Sequence, residues 1–295
     1  RLPLIVRGLA PALPLEWTLD VPSAQVKSAI LLAGLNARGA TTMIEPVATR
    51  DHSERMLRAF GADIRSEPSP AGTRITVMGE AELTPSRLRV PADISSAAFP
   101  LVAALLVPGS RVELPGVCVN PTRDGLLRLL AGMGARVAQA NPREVGGEPV
   151  ADLVVEAGPL LAVAPDPALA PSMIDEFPIA FVAAALAEGR SIFRGLEELR
   201  VKESDRLARM AEVLRAAGAR VEERADGLAI EGTGGERLAG GATIDPGLDH
   251  RIAMSACVLS LACRRPLQVA DMSPVGTSFP GFVGLMQELG AEARE

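Results

Sequence analysis

The chain has 295 residues, 48% of them hydrophobic, and a formal net charge of −6 from 30 basic and 36 acidic side chains. That length and apolar content suit two domains with sizeable cores, and an acidic balance without a dense basic arm gives no support to nucleic-acid binding. Cys118, Cys257 and Cys263 are too sparse for a disulfide scaffold and are not spaced as zinc ligands, so they read as inert thiols in a reducing cytoplasm.

No unbroken apolar run reaches membrane-spanning length, and the richest, FPIAFVAAALAEG, is too short. Nothing at the start resembles a secretory signal. RLPLIVRG, residues 1–8, reads as the last strand of a unit whose helices are absent. SAQVKSAILLAGLNARGATT then starts at Ser23 as a capped, small-residue helix running into a strand, and SERMLRAFGADI follows as a second helix. A domain boundary is expected near Pro85 to Arg89. DISSAAFPLVAALLVPGSRVEL from Asp93 and TRDGLLRLLAGMGARV repeat the same pair of helices. DEFPIAFVAAALAEGRSIFRG from Asp175 and SDRLARMAEVLRAAGARV make a third pair, with Ser204 as cap candidate. ARVEERADGLAIEG then reads as a hairpin turning at Asp226-Gly227. DHRIAMSACVLSLACRRPLQVA from Asp249 and SFPGFVGLMQELGAEA close the series.

The second helices end at Gly61, Gly134, Gly218 and Gly290, at intervals of 73, 84 and 72 residues. A glycine just past a helix is the usual C-cap, and even spacing of a two-helix, several-strand unit implies an internal repeat. Each unit reads as strand, buried helix, strand, outer helix, then two strands. Small residues all round the first helix of each pair imply burial on every side.

The helix starts carry the charge. ELRVKESDR places Lys202, Glu203 and Arg206 where the helix end is already positive. Two readings stand: a solvated ion-pair network, or a site in which these cations surround phosphate or carboxylate and Glu203 is a poised acid. Asp249, His250 and Arg251, Asp175 and Glu176, and Ser23, Gln25 and Lys27 open the other buried helices, and Arg50, Asp51 and His52 precede another. If equivalent starts face one cleft, the pocket suits a phosphorylated, carboxylated small molecule. No Walker loop or dinucleotide fingerprint is present.

These residues resemble the 5-enolpyruvylshikimate-3-phosphate synthase family over essentially the whole chain. The resemblance rests on SAQVKSAILLAGLNARGATT, TRDHSERMLRAFGAD, DISSAAFPLVAALLVPGS, NPTRDGLL, PSMIDEFP, ELRVKESDR, DHRIAM and TSFPGF in that order. The wording is most similar to the bacterial class II-like group that includes glyphosate-tolerant members. The resemblance implies an inside-out α/β barrel (the enolpyruvyl transferase fold) of βαβαββ repeats with buried helices. Residues 1–88 would be the remnant of a shikimate-phosphate-binding domain, and 89–295 a second domain of three repeats. A substrate cleft would lie between them, roughly the N-terminal third would be missing, and apolar faces of the remnant would be exposed.

The implied activity is transfer of the enolpyruvyl group of phosphoenolpyruvate to the 5-hydroxyl of shikimate 3-phosphate, releasing phosphate, in chorismate biosynthesis. Glu203 would be the acid, Asp175 the base, and Lys202 the contact to the hydroxyl. Arg206 and Arg251 would clamp phosphoenolpyruvate. Ser23, Ala24, Gln25 and Arg50 would hold shikimate 3-phosphate. No cofactor and no metal is implied, and the expected partners are the two substrates, with no nucleic acid and no membrane. A full-length member would be a cytoplasmic monomer and a glyphosate target, whereas this chain alone is expected to have little or no activity. Thr277 and Glu198 depart from other members, which carry lysine and asparagine there. The alternatives are an enolpyruvyl transferase acting on UDP-N-acetylglucosamine and a non-catalytic, phosphometabolite-binding fragment.

Overall fold

The computed structural model describes Ile5 and residues 7–292, so the strand expected over residues 1–8 lies largely outside the described residues. The chain divides into two compact units, Arg1–Pro91 with Glu144–Pro149, and Ala92–Arg143 with Val150–Glu295.

Unit 1 runs β1 (Glu16–Thr18), α1 (Ala24–Gly34), β2 (Ala40–Glu45), α2 (His52–Ala59), β3 (Ile64–Ser69) and β4 (Gly72–Met78). β1 lies parallel to β2, and β4 pairs antiparallel with both β2 and β3. Alternation along β4 sends Ile75 and Val77 inward, where they meet Leu31 of α1 and Leu57 of α2. The core is small, with eight buried apolar residues clustered among the described residues. Much apolar surface stays outside, including Leu9, Leu13, Val21, Val26 and Trp17, the last 49% exposed on β1.

Unit 2 repeats the grammar. α3 (Ile94–Leu106), β5 (Arg111–Cys118), α4 (Gly125–Gly132), β6 (Arg136–Val145) and β7 (Glu148–Glu156) come first, the tip of the β6–β7 hairpin counting with unit 1. α5 (Phe177–Leu186), β8 (Arg190–Ile192), α6 (Arg206–Ala217), β9 (Arg220–Arg224) and β10 (Gly227–Glu231) follow. The last stretch holds β11 (Leu238–Gly240), β12 (Thr243–Ile244), α7 (His250–Leu261), β13 (Cys263–Arg265), β14 (Gln268–Val269) and α8 (Phe282–Glu288). In each of the three complete repeats the last strand of the chain order sits between the other two: β2-β4-β3, β5-β7-β6 and β8-β10-β9. Helices α3, α5 and α7 touch one another. All ten residues of α5 are buried. Its alanines let neighbouring helices approach closely, and Phe177, Phe181 and Phe193 fill the remaining space with ring centroids 5.1–6.1 Å apart.

The strands correct the expected barrel. They form five separate sheets of four, three, two, two and three strands, each an open row with none closed or strongly curled among the described residues. Closure into a filled barrel takes about eight strands with continuous pairing. Here each antiparallel set ends after its own repeat, so the molecule is an α/β fold with mixed sheets. Two local expectations also shift. The cap of α6 is Asp205, whose carboxylate accepts from Ala208 N at 3.0 Å, because the Ser204 hydroxyl is drawn to Asp249 instead. The β9–β10 turn is Ala225-Asp226, and Gly227 already pairs with Arg224.

Gly61, Gly134, Gly218 and Gly290 all take positive φ past their helices, the left-handed stop that their spacing predicts. A second glycine pair shows the repeat in three dimensions. A Cβ at Gly79, after β4, would stand 1.9 Å from the carbonyl oxygen of Ala37, and one at Gly232, after β10, would stand 2.0 Å from that of Ala187. At both places a strand end crosses the C-terminal end of the preceding buried helix. Gly232→Ala is expected to cost about 1–3 kcal/mol through forced backbone displacement, read as a lower urea midpoint. An unchanged midpoint would mean that this crossing gives way without cost.

Candidate functional site

In unit 2 the starts of the helices come together around Arg206. Its side chain is fully buried. Nε donates to Asp249 Oδ2 at 2.8 Å, Nη1 reaches Asp175 Oδ1 at 3.4 Å, and Nη2 donates to Glu203 Oε2 at 2.5 Å. Asp249 caps α7 by accepting from Arg251 N at 2.9 Å, and it also takes the Ser204 hydroxyl at 2.9 Å. Arg251 Nη1 donates to the Asp175 carbonyl at 2.9 Å. Lys202 ends the 3₁₀ turn Glu197–Val201 and pairs with Glu198. Two shells of charge result. Arg206 and Asp249 are sealed inside, while Asp175, Lys202, Glu203 and Arg251 keep part of their side chains accessible, Glu203 the most at 53%.

Neighbouring carboxylates are pushed in opposite directions. Burial raises Glu176, and this outweighs the nearby Arg123, the Ser95 hydroxyl and Arg251. Burial also acts to raise Asp249, but there the hydrogen bonds and charge of Arg206, with Arg251 N–H and Ser204, win and hold it below the usual carboxylate range. His250 is lowered by burial and by Arg251, which favours the neutral ring. For Asp249 the unfolded chain binds the proton more tightly than the folded one. The stability it contributes is therefore present above the ordinary carboxylate range and lost as pH falls through that range towards its lower folded value. Urea midpoints of the wild type should drop below about pH 4 with a component that is absent in Asp249→Asn. Parallel acid profiles for the two proteins would remove Asp249 from the acid transition.

Unit 1 gathers its own helix starts. Ser23 caps α1, accepting from Val26 N at 3.3 Å. Ala24 is half-buried beside it and Gln25 is exposed, while Arg50 is half-buried just ahead of α2. Behind them Lys27 is buried between Glu45 at 3.0 Å and Glu54 at 2.9 Å. The Ser28 and Ser53 hydroxyls meet at 2.6 Å and tie α1 to α2. The same device recurs in all three complete repeats: an outer-helix start is ion-paired to a buried-helix start. Glu54 meets Lys27, Arg123 reaches Asp93 at 3.4 Å, and Arg206 reaches Asp175 and Asp249.

The family model of EPSP synthase (3-phosphoshikimate 1-carboxyvinyltransferase) matches residues 1–286. The chain belongs to the EPSP synthase family. It is 60% identical over 289 residues to the 3-phosphoshikimate 1-carboxyvinyltransferase of Sphingopyxis alaskensis, a match covering 98% of this chain and 65% of the relative. It is 56% identical over 292 residues to that of Cereibacter sphaeroides, covering 99% and 65%. The solved EPSP synthase of Acinetobacter baumannii superposes with a TM-score of 0.88 at 43% identity, covering 95% of this chain and 63% of that one. The chain thus spans 65% of the length of those two curated relatives.

Of the residues that the family resemblance singles out, Asp175, Glu203, Arg206 and Arg251 are brought together in unit 2, with Lys202 on the adjoining turn. Ser23, Ala24, Gln25 and Arg50 all lie at the start of α1 or ahead of α2 in unit 1. Sequence reasoning gave no role to Ser95 and Arg123, and none to Glu176 beyond opening a helix. The signal was available in part, because Ser95 follows a capping Asp93 and Arg123 lies in NPTRDGLL, another helix start. No helix among the described residues is long and apolar enough to cross a membrane.

Proposed function

We propose that this chain carries the main acid–base and anion-binding groups of a 3-phosphoshikimate 1-carboxyvinyltransferase, of the class II-like bacterial group. The reaction moves the enolpyruvyl group of phosphoenolpyruvate to the 5-hydroxyl of shikimate 3-phosphate. The hydroxyl oxygen bonds to C2 while C3 gains a proton. The tetrahedral adduct then loses phosphate by C–O cleavage and C3 gives a proton back. Such chemistry needs an acid near C3, a base near the hydroxyl and fixed cations around two anionic groups.

The observation that carries the reading is the convergence of Glu203, Asp175, Arg206 and Arg251 at helix starts. Glu203 is the accessible acid, held by Arg206. Asp175 takes the hydroxyl proton, and Lys202 steadies the developing charge at that oxygen. Arg251 and Arg206 take phosphoenolpyruvate. Because Arg206 is sealed beneath Glu203, it meets the ligand only when Glu203 turns outward. Ser23, Ala24, Gln25 and Arg50 hold shikimate 3-phosphate. A cytoplasmic location belongs to this reading.

The test is phosphate release from phosphoenolpyruvate by the full-length protein, with each acceptor in turn. Release that requires shikimate 3-phosphate is expected. Release supported by UDP-N-acetylglucosamine instead, or binding of both ligands without release, would replace this reading by one of its alternatives.

A further inference from the structure

Behind the accessible charges lies a second, sealed group that the reaction as described does not use. Glu176 is buried, and its Oε1 faces one hydroxyl donor and two arginines from three other helix starts. The Ser95 hydroxyl of α3 donates to it, Arg123 Nη2 ahead of α4 stands 3.8 Å away, and Arg251 Nη1 of α7 stands 3.9 Å away. Arg123 Nη2 also donates to the Ser95 hydroxyl at 2.6 Å. Glu176 Oε2 and Arg123 Nε have no hydrogen-bond partner among the described residues. A buried carboxylate group with one oxygen unmatched is costly to keep, and a surface-facing helix start would not need it.

We propose that Glu176 is a positioning residue for Arg251. Arg251 Nη1 is shared between the Asp175 carbonyl at 2.9 Å and Glu176. The carbonyl takes the hydrogen bond and the Glu176 carboxyl adds an ion-pair attraction on the same nitrogen, so the guanidinium is drawn to one side before an anion arrives. Ser95 and Arg123 hold the carboxyl in turn, which extends the support to the starts of α3 and α4. A preset arginine fork binds a carboxylate or phosphate with less ordering cost than a free one. The groups facing Glu176 are Arg123, Arg251 and Asp175.

The expectation for ligand affinity rests on the enolpyruvyl-transfer reading, whereas the orientation of Arg251 does not. The experiment is nuclear magnetic resonance of arginine-labelled full-length protein, with the Arg251 guanidinium signals assigned through Arg251→Lys. Slow rotation of the Arg251 guanidinium is expected in the wild type and rotation faster by about tenfold in Glu176→Gln, within the range of coupling between neighbouring side chains. Ser95→Ala, which keeps the carboxyl and removes its hydroxyl partner, should loosen Arg251 in the same direction and decides the matter if the first variant does not fold. Unchanged Arg251 rotation in the folded variants overturns the proposal.

In the same samples phosphoenolpyruvate should bind Glu176→Gln about tenfold more weakly, with shikimate 3-phosphate unaffected. Equal weakening of both ligands would mark a general structural role and overturn the positioning role. If the wild type binds neither ligand, the enolpyruvyl-transfer reading fails while the Arg251 rotation still decides this inference.

Discussion

Arg206→Met should lower the stability of unit 2 by about 3–5 kcal/mol, the scale for removing one partner of a buried ion pair. The size follows from what remains. Asp249 is as deeply buried as Arg206, and without the guanidinium its charge keeps, among the described residues, the hydrogen bonds of the Arg251 N–H and the Ser204 hydroxyl. Asp175 and Glu203 lose their shared partner as well. Methionine fills much of the volume, so the loss would measure charge rather than a cavity. The double variant Arg206→Met with Asp249→Leu should recover much of it, because it removes both desolvated charges together. Far-ultraviolet circular dichroism in urea reads both. A single variant within about 1 kcal/mol of the wild type, the net value of an ordinary hydrogen bond, would show that Asp249 takes up a proton and needs no cation.

Glu203→Gln should lower turnover by about 100- to 10,000-fold in the full-length protein, the usual contribution of a positioned general acid. The amide keeps the length of the side chain and offers Arg206 an oxygen, so affinity for both substrates should change little. Only the transferable proton is lost. The site suits that separation of roles. Arg206 is buried at the start of α6, and Glu203 lies half-exposed three residues ahead of it, before the helix begins. Single-turnover and steady-state phosphate release give the chemical step, and ligand titration gives affinity. Unchanged turnover would move the acid elsewhere, with Asp175 and Lys202 the next groups to examine.

How much of this could be read beforehand depends on the range of the forces involved. The repeat was legible because its signals are local: small-residue helices, capping acids such as Asp93 and Asp249, and glycines after the outer helices. The gathering of charge at helix starts was legible for the same reason. The pairing was not. Lys27 with Glu45 and Glu54, or Ser95 with Arg123 and Glu176, joins side chains from different elements, and no spacing along the chain predicts which partner is reached. The single-residue shift from Ser204 to Asp205 has a similar origin, since a tertiary partner, Asp249, takes the serine out of competition for the cap. The barrel expectation failed at a still longer range, because closure depends on pairing between repeats and these strands pair chiefly within them.

Trp17 of β1 is the chain's one tryptophan, and the chain has no tyrosine. Near-ultraviolet emission is therefore a reporter for unit 1 alone, while backbone dichroism is dominated by unit 2. The two units differ widely in buried apolar core, and stability tracks that burial. The two optical signals should trace separate denaturation curves, the emission changing at the lower urea concentration. A single wavelength would then misstate the stability of the whole chain, and the gap between the curves would measure how unevenly its folding free energy is distributed.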